Sequence, residues 1–484
     1  MKKIILLILT IIAFWVSADA SENIISQIDS IIADTLLDNA QIGVSIYDIT
    51  ADSSVYAINS DKLFIPASNL KLFTSAAALE LLGPGYRFET KFTGYGEIDS
   101  EGVFSGYLVI AGGGDPLISG RFRNKMTEIF DFWVDSLSSR GIKEIQGNIL
   151  VDNSFFSPPE LGPGWSWDDL SYWYACPVTS LAFNDNCIDL IIKPGKKVGD
   201  SAIIKFEPEI EYFWIDNFTA ITGTAGSDYS IDYYRASDSK KVEFFGSIAI
   251  DDTNGRRDYL SVNEPDLFCA KIFRDVLISH GTKITGNSDP YYLPSQIVFP
   301  GDTLFTWRSD SLANIIKVIN KNSQNLFAEM TLKTLGALFR HDGSFKGGCA
   351  VTDSFFSTIG ITSKELAMYD GSGLSYMNQV KPDAIIKLLR YMKKSPNYEV
   401  YYNSLGNPEK DRSMRDRLKD VPGREKVRAK GGYIQNVSTF SGYFTGPKNG
   451  HLFAFSIMVN NYTCPSSSVE NWEDRLLTVL LKEF

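Results

Sequence analysis

The chain has 484 residues, enough for two or three domains, and 44% of them are hydrophobic, as in an ordinary globular protein with a core. Its 47 basic and 58 acidic residues give a net charge of −11, which argues against nucleic acid as the partner. The three histidines form no His-Glu-x-x-His motif, so a catalytic zinc site has little support, and we expect no metal or cofactor.

The first twenty residues have the pattern of a secretory signal peptide. Two lysines are followed by an apolar run at residues 4–16, and an Ala-Asp-Ala triplet ending at Ala20 fits the small-x-small cleavage rule. We therefore expect residues 1–20 to be removed on export, so that Ser21 begins the mature chain. A retained, uncleaved anchor is the alternative.

All five cysteines lie beyond this leader. An odd number leaves at least one of them unpaired. Cys176 and Cys187 are close enough in sequence to form a local disulfide bridge.

The mature chain opens with a helix and a hairpin. Residues 21–40 carry apolar side chains at helical spacing, which predicts an amphipathic helix. Residues 41–50 and 55–59 alternate between apolar and polar side chains on either side of a turn, which predicts two paired strands.

The next helix joins an apolar body to a reactive pair. Residues 70–82 are apolar on nearly every face, so the helix is expected to be buried, and a Gly-Pro-Gly sequence ends it. Ser68 is expected at the N-cap or in the first turn, with Lys71 three positions later on the same face. Burial and a nearby cation lower the pKa of a lysine, and the neutral amine can then activate a serine as a nucleophile.

The middle of the chain, about residues 85–305, changes to short β-like runs broken by glycines. A helix is predicted at residues 125–139, and residues 188–300 are predicted to be all-β. Residues 112–116 read Gly-Gly-Gly-Asp-Pro and are interpreted as a tight turn, because no lysine or helix follows as in a phosphate loop. Residues 160–180 are rich in Trp and Tyr. Packing of an irregular loop is the favoured interpretation, and a sugar-stacking surface is the alternative.

Helices and strands return after residue 305. The predicted helices are 311–321, 325–339, 381–393 and 468–484, and the predicted strands are 427–434, 438–445 and 451–459. The hairpin and these three strands would make one five-stranded antiparallel sheet covered by helices. The predicted fold is α+β, with a domain of residues 21–84 and 306–484 interrupted by a β-rich insertion of residues 85–305.

Three short motifs occur in chain order on a helix, a loop and a strand. They are Ser-x-x-Lys at residues 68–71, Ser-Gln-Asn at 323–325 and Lys-Gly-Gly at 430–432. Together with the segments 66–74, 112–116, 322–329, 370–375 and 427–432, they make the chain resemble the class C low-molecular-mass penicillin-binding proteins, the D-Ala-D-Ala carboxypeptidase/endopeptidase family. In that family the insertion forms two extra β-rich domains.

The resemblance implies the catalytic roles. Ser68 would attack a D-Ala-D-Ala-type carbonyl and form an acyl-enzyme. Lys71 would be its base, neutralised in part by the nearby charge of Lys430. Ser323 would relay a proton to the leaving amine.

The resemblance also implies a substrate-binding set of Asn325, Lys430, Gly432 and Tyr433. Asn325 would hold the substrate amide and Lys71, and Lys430 would attract the terminal carboxylate. The backbone N–H groups of Ser68 and Tyr433 would form the oxyanion hole. The third motif departs from the family, which has Thr or Ser where this chain has Gly431. That hydroxyl normally helps to bind the carboxylate.

The expected function is therefore that of a periplasmic serine-type D-Ala-D-Ala carboxypeptidase/endopeptidase. It would act on peptidoglycan stem peptides and be acylated by β-lactams, and peripheral association with the membrane or cell wall is a further expectation. Two alternatives stay open. One is a weak or inactive relative that binds peptidoglycan or a partner, and the other is an esterase or β-lactamase on the same fold.

Overall fold

The computed structural model describes residues 24–294 and 301–484. The predicted leader at residues 1–20 and the predicted mature start at Ser21 lie outside the described residues. Within the described ranges, no helix combines the length and apolarity needed to span a bilayer.

The described residues contain α-helices and short 3-10 helices. The α-helices are α1 (24–32), α2 (Lys71–Leu82), α3 (Glu128–Ser139), α4 (Pro265–Ser279), α5 (Leu312–Lys321), α6 (Asn325–Arg340), α7 (Phe345–Thr358), α8 (Pro382–Lys394), α9 (Tyr398–Ser404) and α10 (Ser466–Glu483). The 3-10 helices are Thr35–Leu37, Ala67–Leu70, Gly120–Phe122, Trp167–Asp169, Trp173–Ala175, Asn184–Asn186, Arg412–Met414 and Arg424–Lys426.

The strands form a five-stranded sheet, a seven-stranded sheet and several smaller sheets. They are β1 (Gln41–Asp48), β2 (Ser53–Ile58), β3 (Glu89–Ile98), β4 (Val103–Ala111), β5 (Glu144–Gln146), β6 (Ile149–Asp152), β7 (Cys187–Lys193), β8 (Ile203–Glu207), β9 (Trp214–Phe218), β10 (Ile221–Gly223), β11 (Asp232–Tyr234), β12 (Lys241–Phe245), β13 (Ser247–Ala249), β14 (Arg256–Ser261), β15 (Lys283–Ile284), β16 (Tyr291–Tyr292), β17 (Asp302–Arg308), β18 (Leu366–Ala367), β19 (Gln379–Val380), β20 (Val427–Ile434), β21 (Val437–Thr445) and β22 (Leu452–Asn460).

The two ends of the described chain meet in one antiparallel sheet with the strand order β2-β1-β22-β21-β20. This confirms the five-stranded sheet predicted from the hairpin and the last three strands. Strand β1 pairs with β22 along its whole length, from Gln41 opposite Asn460 to Asp48 opposite Phe453. Strand β20 lies at the edge, so one side of its backbone has no neighbouring strand in this sheet.

Apolar layers cover both faces of the five-stranded sheet. On one face, Phe455 and Trp472 belong to a core that also contains residues of α1 and α10. On the other face, Met458 and Leu389 belong to a core that contains α2, α5 and α8. Helix α2 is buried from Lys71 to Leu79, as its apolar sequence predicts.

The inserted segment (residues 85–305) builds a core of its own. Strands β3, β4, β5, β6, β15, β16 and β17 form a mixed seven-stranded sheet. Buried aromatic residues of this core pack edge to face, with the rings of Phe92 and Trp133 4.8 Å apart and those of Trp133 and Phe273 5.3 Å apart. The smaller sheets are β14-β7-β8, β11-β12-β9 and β10-β13. The boundaries at residues 84/85 and 305/306 stay a prediction.

Two predictions of secondary structure are wrong in part. The helix expected over residues 21–40 ends at residue 32, because Asp34 caps a separate 3-10 turn by accepting a hydrogen bond from the N–H of Leu36. Residues 188–300 are not strands alone, because they include α4. Pro265 opens that helix, and its buried side chains follow the helical period that the sequence reading missed.

The five cysteines are free thiols in the structure. The local bridge predicted from the spacing of Cys176 and Cys187 is therefore not formed. The two thiols instead donate to the same acceptor, the backbone oxygen of Asp185, each at 3.4 Å.

Candidate active site

Ser68 lies in the 3-10 helix that leads directly into α2. It is not the N-cap of α2, because Leu70 holds that position and no side chain caps the helix. The Ser68 hydroxyl accepts a hydrogen bond from Lys71 Nζ at 2.8 Å. Ala67 has a φ of 44°, a left-handed conformation that is costly for a residue with a Cβ and that clusters at functional sites.

Lys71 is fully buried and uses all three of its N–H donors. Besides Ser68 Oγ, its Nζ contacts Asn325 Oδ1 at 2.6 Å and the backbone oxygen of Ser372 at 2.8 Å. The three acceptors come from three parts of the chain, so the amine has one defined position beside the hydroxyl.

Burial lowers the pKa of Lys71 to about 7, while the carboxylates of Glu329 and Asp370 act in the opposite direction. The prediction from the sequence is that the nearby charge of Lys430 neutralises Lys71 in part. The main cause is instead the loss of water around the amine. Near neutral pH, a large fraction of Lys71 is therefore unprotonated and able to accept a proton.

The second motif lies between α5 and α6 and meets both lysines. Ser323 has a φ of 56°, and its Oγ accepts a hydrogen bond from Lys430 Nζ at 2.9 Å. Asn325 accepts from Lys71 and donates through Nδ2 to the backbone oxygen of Tyr174 at 2.8 Å. One motif thus joins the Ser68 side of the cleft to the Lys430 side.

The middle residue of this motif points away from the cleft into the inserted segment. Gln324 Nε2 donates to Asp185 Oδ2 at 2.9 Å, and the same oxygen accepts from Arg121 Nε at 2.6 Å. Asp185 is buried and lies between two other residues with left-handed backbones, Asn184 and Asn186. Sequence reasoning gave Asp185 no role, because only the tertiary fold brings it to the motif.

The third motif lies on the edge strand β20. Ala429 exchanges two backbone hydrogen bonds of 2.9 Å with Gly406, so its N–H and C=O point away from the sheet. Since backbone groups alternate in direction along a strand, those of Gly431 and Tyr433 point the same way. The contact of 2.5 Å between Lys430 Nζ and the Gly431 oxygen agrees with this direction.

The two glycines of the third motif have opposite surroundings. A Cβ on Gly432 would lie 2.3 Å from Thr439 Oγ1 and 2.8 Å from the backbone nitrogen of Ser68, so this position requires glycine. A Cβ on Gly431 would meet no atom within 4 Å. The missing hydroxyl at residue 431 therefore leaves open space and is not replaced by a neighbouring group at that point.

Lys430 is 3% exposed, and burial lowers its pKa, with the charge of Lys71 as the second cause. Its Nζ donates to neutral oxygens of Ser323 and Gly431. In the part of the chain that the structure describes, no carboxylate forms an ion pair with Lys430.

A cavity of about 350 Å³ opens in front of Ser68. Ser323, Asn325 and Tyr433 line it together with residues of the inserted segment, namely Asp169, Trp173 and Tyr174. A second cavity of about 250 Å³ lies on the Lys430 side, next to Gly431 and Gly432. The structure thus brings all seven predicted site residues around one cleft.

The Trp- and Tyr-rich residues 160–180 are divided between packing and the wall of the cavity. The Trp165 indole donates to Asp370 Oδ2 at 3.0 Å and contacts the Phe345 ring edge to face, as the packing interpretation requires. Trp173 and Tyr174 differ, since they form a wall of the cavity in front of Ser68. Trp167 is 72% exposed.

The chain matches the family model described as D-Ala-D-Ala carboxypeptidase 3 (S13) over residues 24–480. It is 28% identical to the D-alanyl-D-alanine carboxypeptidase of Actinomadura sp. (strain R39) over 451 residues, which cover 91% of this chain and 81% of the relative.

Two solved structures share the fold. Penicillin binding protein 4 (dacB) from Haemophilus influenzae matches with a TM-score of 0.81 and 24% identity, covering 94% of this chain and 99% of that one. The same protein complexed with a novel β-lactam matches with a TM-score of 0.75 and 22% identity, again covering 94% and 99%. The predicted α+β fold class is confirmed.

Proposed function

The chain belongs to the D-Ala-D-Ala carboxypeptidase 3 (S13) family, and from this premise we propose that Ser68 and Lys71 carry out its reaction through an acyl-enzyme. The family gives the reaction class, a serine-type peptidase acting on D-Ala-D-Ala. The observation that carries the proposal is the position of the Lys71 amine, which lies 2.8 Å from Ser68 Oγ and has its pKa lowered to about 7.

In the first half of the reaction, Lys71 Nζ takes the proton of Ser68 Oγ as that oxygen bonds to the carbonyl carbon of the penultimate D-alanine. The carbonyl oxygen becomes an oxyanion, and the N–H groups of Ser68 and Tyr433 receive it. Two observations support this pair. The Tyr433 N–H points out of the sheet edge, and Gly432 brings that strand against the Ser68 nitrogen.

In the second half, the C–N bond breaks and the amine of the terminal D-alanine leaves with a proton from Ser323 Oγ. Lys430 Nζ contacts that oxygen at 2.9 Å and can restore its proton. Lys71 then releases to solvent the proton that it took from Ser68, and Lys430 takes one up from solvent, so both amines return to their starting states. Water attacks the acyl carbon, Lys71 takes a proton from the water and passes it to Ser68 Oγ as the bond between that oxygen and the acyl carbon breaks, and Ser68 is released with its hydroxyl restored.

Lys430 is proposed to attract the terminal carboxylate of the substrate. Gly431 supplies no hydroxyl to fix that carboxylate, and its surroundings are open. This space also favours hydrolysis of cross-linked peptides, whose leaving group is larger than D-alanine. Cleavage of cross-links is therefore proposed as a second activity of the same site.

β-Lactams are proposed to acylate Ser68. The support is the Haemophilus influenzae protein, which shares the fold and is known as a complex with a β-lactam. In the acylation step Ser68 Oγ bonds to the lactam carbonyl carbon and the ring C–N bond opens, so the leaving amine stays attached.

The protein is proposed to be exported and to act on peptidoglycan in the periplasm. The leader pattern supports this, and N-terminal sequencing of exported material tests it by finding either Ser21 or a start that retains the leader.

Residues 21–84 and 306–484 are proposed to form the peptidase domain, with residues 85–305 as two inserted subdomains. The five-stranded sheet, which is formed by strands from both sides of the insertion, supports that division.

Digestion of purified muropeptides tests the function. The protein is incubated with a monomeric pentapeptide and with a cross-linked dimer, and the products are identified by mass spectrometry. Loss of one D-alanine from the monomer, or of the cross-link from the dimer, is the expected result. Release of neither product, at any pH from about 6 to 9, would contradict the proposal.

A further inference from the structure

Glu329 is a fully buried carboxylate behind the catalytic lysine. It lies on α6 four residues after Asn325 and therefore on the same face of the helix. Its Oε2 accepts the N–H of Gly371 at 2.6 Å, and its Oε1 accepts the N–H of Ser372 at 2.8 Å. Burying a carboxylate is costly unless its oxygens are satisfied, and both oxygens here are used on one short segment.

That segment leads directly to Lys71. The backbone oxygen of Ser372 accepts a hydrogen bond from Lys71 Nζ at 2.8 Å. The segment cannot shift easily, because a Cβ on Gly371 would lie 2.7 Å from the Ala328 oxygen and a Cβ on Gly373 would lie 1.8 Å from the Ala67 oxygen. A change at Glu329 therefore reaches Lys71 through one residue, Ser372, whose N–H donates to Glu329 and whose oxygen accepts from Lys71.

We propose that Glu329 is a positioning residue for the general base. It accepts hydrogen bonds from the N–H groups of Gly371 and Ser372 and so holds this segment in place, and the Ser372 oxygen keeps Lys71 Nζ beside Ser68 Oγ. The inference rests on the proposed roles of Ser68 and Lys71.

The charges around Lys71 come from three elements. Glu329 faces it from α6, Asp370 from the loop before β19, and Lys430 from β20. Burial lowers the pKa of Lys71 to about 7, and Glu329 is the larger of the two carboxylate influences that oppose it. Asp370 also accepts hydrogen bonds from Gly373, Ser375, Asn378 and Trp165, so its position is fixed independently of Lys71.

The titratable groups facing Glu329 are Lys71, Asp370, Lys333 on the same helix and Cys349 on α7. Burial raises the pKa of the Cys349 thiol, which is therefore neutral. Burial and Asp370 raise the pKa of Glu329 to about 8, whereas the two N–H donors on its oxygens act the other way.

The test measures the rate of acylation by a fluorescent penicillin from about pH 5 to pH 9. Acylation needs neutral Lys71, so the rate of the wild-type protein should fall as the pH drops below about 7. In Glu329→Gln the amide nitrogen cannot accept the second N–H of the Gly371-Ser372 segment, so the plateau rate should drop about tenfold or more. The acid limb should stay in place, because the carboxyl group of Glu329, with its pKa raised to about 8, is already protonated over that limb.

Two further variants separate positioning from a general loss of stability. Glu329→Asp keeps two acceptor oxygens with a shorter reach, so its plateau should fall less than that of Glu329→Gln. Asp266→Asn removes another buried carboxylate, which lies at the start of α4 and accepts from Tyr292 and Leu267. This matched control should lower the melting temperature and leave both the plateau and the limb unchanged.

A plateau in Glu329→Gln equal to that of the wild-type protein, or a fall no larger than that in Asp266→Asn, would overturn the inference. If Glu329→Gln does not fold, an unchanged plateau in Glu329→Asp overturns it. Failure of the proposed function has a different signature, because the wild-type protein would then not be labelled, or would be labelled at a residue other than Ser68.

Discussion

The cleft holds two buried lysines that contact serines in the same way and differ in what surrounds them. Lys71 Nζ contacts Ser68 Oγ at 2.8 Å, and Lys430 Nζ contacts Ser323 Oγ at 2.9 Å. Two carboxylates of the protein, Glu329 and Asp370, counteract the effect of burial on Lys71. For Lys430, the second cause is the charge of Lys71, which adds to the effect of burial.

This difference in surroundings assigns a separate role to each lysine. The protein itself supplies the carboxylates for Lys71, whose pKa of about 7 suits a base that works near neutral pH. Lys430 makes its hydrogen bonds to neutral oxygens, and the carboxylate of a substrate or a β-lactam would give it a counter-charge. Binding of that anion would raise the pKa of Lys430 and hold it as a cation.

Substituting each lysine in turn should give the largest effects and tests whether the two lysines have different roles. Lys71→Ala should lower the acylation rate about 10³- to 10⁴-fold on every substrate, because a general base is lost. Lys430→Ala should lower it less, and more on a substrate with a free carboxylate than on one without. Stopped-flow acylation with both kinds of substrate makes the measurement. Equal losses for the two variants on both substrates would show that the lysines are not divided in this way.

The neighbouring glycines of the third motif give the next largest effect. Gly432→Ala should lower acylation about 10²- to 10³-fold, because its Cβ would push β20 away from the Ser68 nitrogen and separate the oxyanion donors. Gly431→Ala is the matched control, because this adjacent residue points to the opposite face of the strand and has open space around its Cβ. The measurement is the rate of penicillin labelling of each variant. Comparable losses of rate in the two variants would argue against a close approach of β20 to Ser68.

Gly431→Thr should have the smallest effect, and it is a gain. A hydrogen bond to a charged group is worth roughly 1.5–3 kcal/mol, or about ten- to a hundredfold in rate. The kcat/KM on a D-Ala-D-Ala peptide should rise more than that on a substrate without a free carboxylate. The structure offers room for the side chain, since no atom lies within 4 Å of a Cβ there. Equal responses of the two substrates would mean that the hydroxyl does not act through the carboxylate.

The sequence predicts those parts of the site that depend on local spacing. Ser68 and Lys71 are three residues apart before an apolar helix, and this pattern alone indicates their contact. The alternation of the C-terminal strands likewise predicts the five-stranded sheet. Helix α4 was missed because the short β-like runs around it hid a helical period.

The remaining parts depend on contacts between distant segments. Glu329 accepts a hydrogen bond from Ser372, which contacts Lys71, and Asp185 accepts one from Gln324 of the second motif; no local pattern contains either contact. The direction of the Tyr433 N–H follows from the position of β20 at the sheet edge, which the order of strands in the chain does not give. Burial as the main cause of the lowered Lys71 pKa also requires the packed structure.

The most direct measurement is mass spectrometry of the intact protein and its peptides after incubation with penicillin. One penicillin should be added per chain, and the modified peptide should carry it on Ser68. The Ser68→Ala protein, with an unchanged melting curve, should show no added mass. Stoichiometric labelling of Ser68→Ala, or an added mass on any other residue of the wild-type protein, would contradict the assignment of Ser68 as the nucleophile.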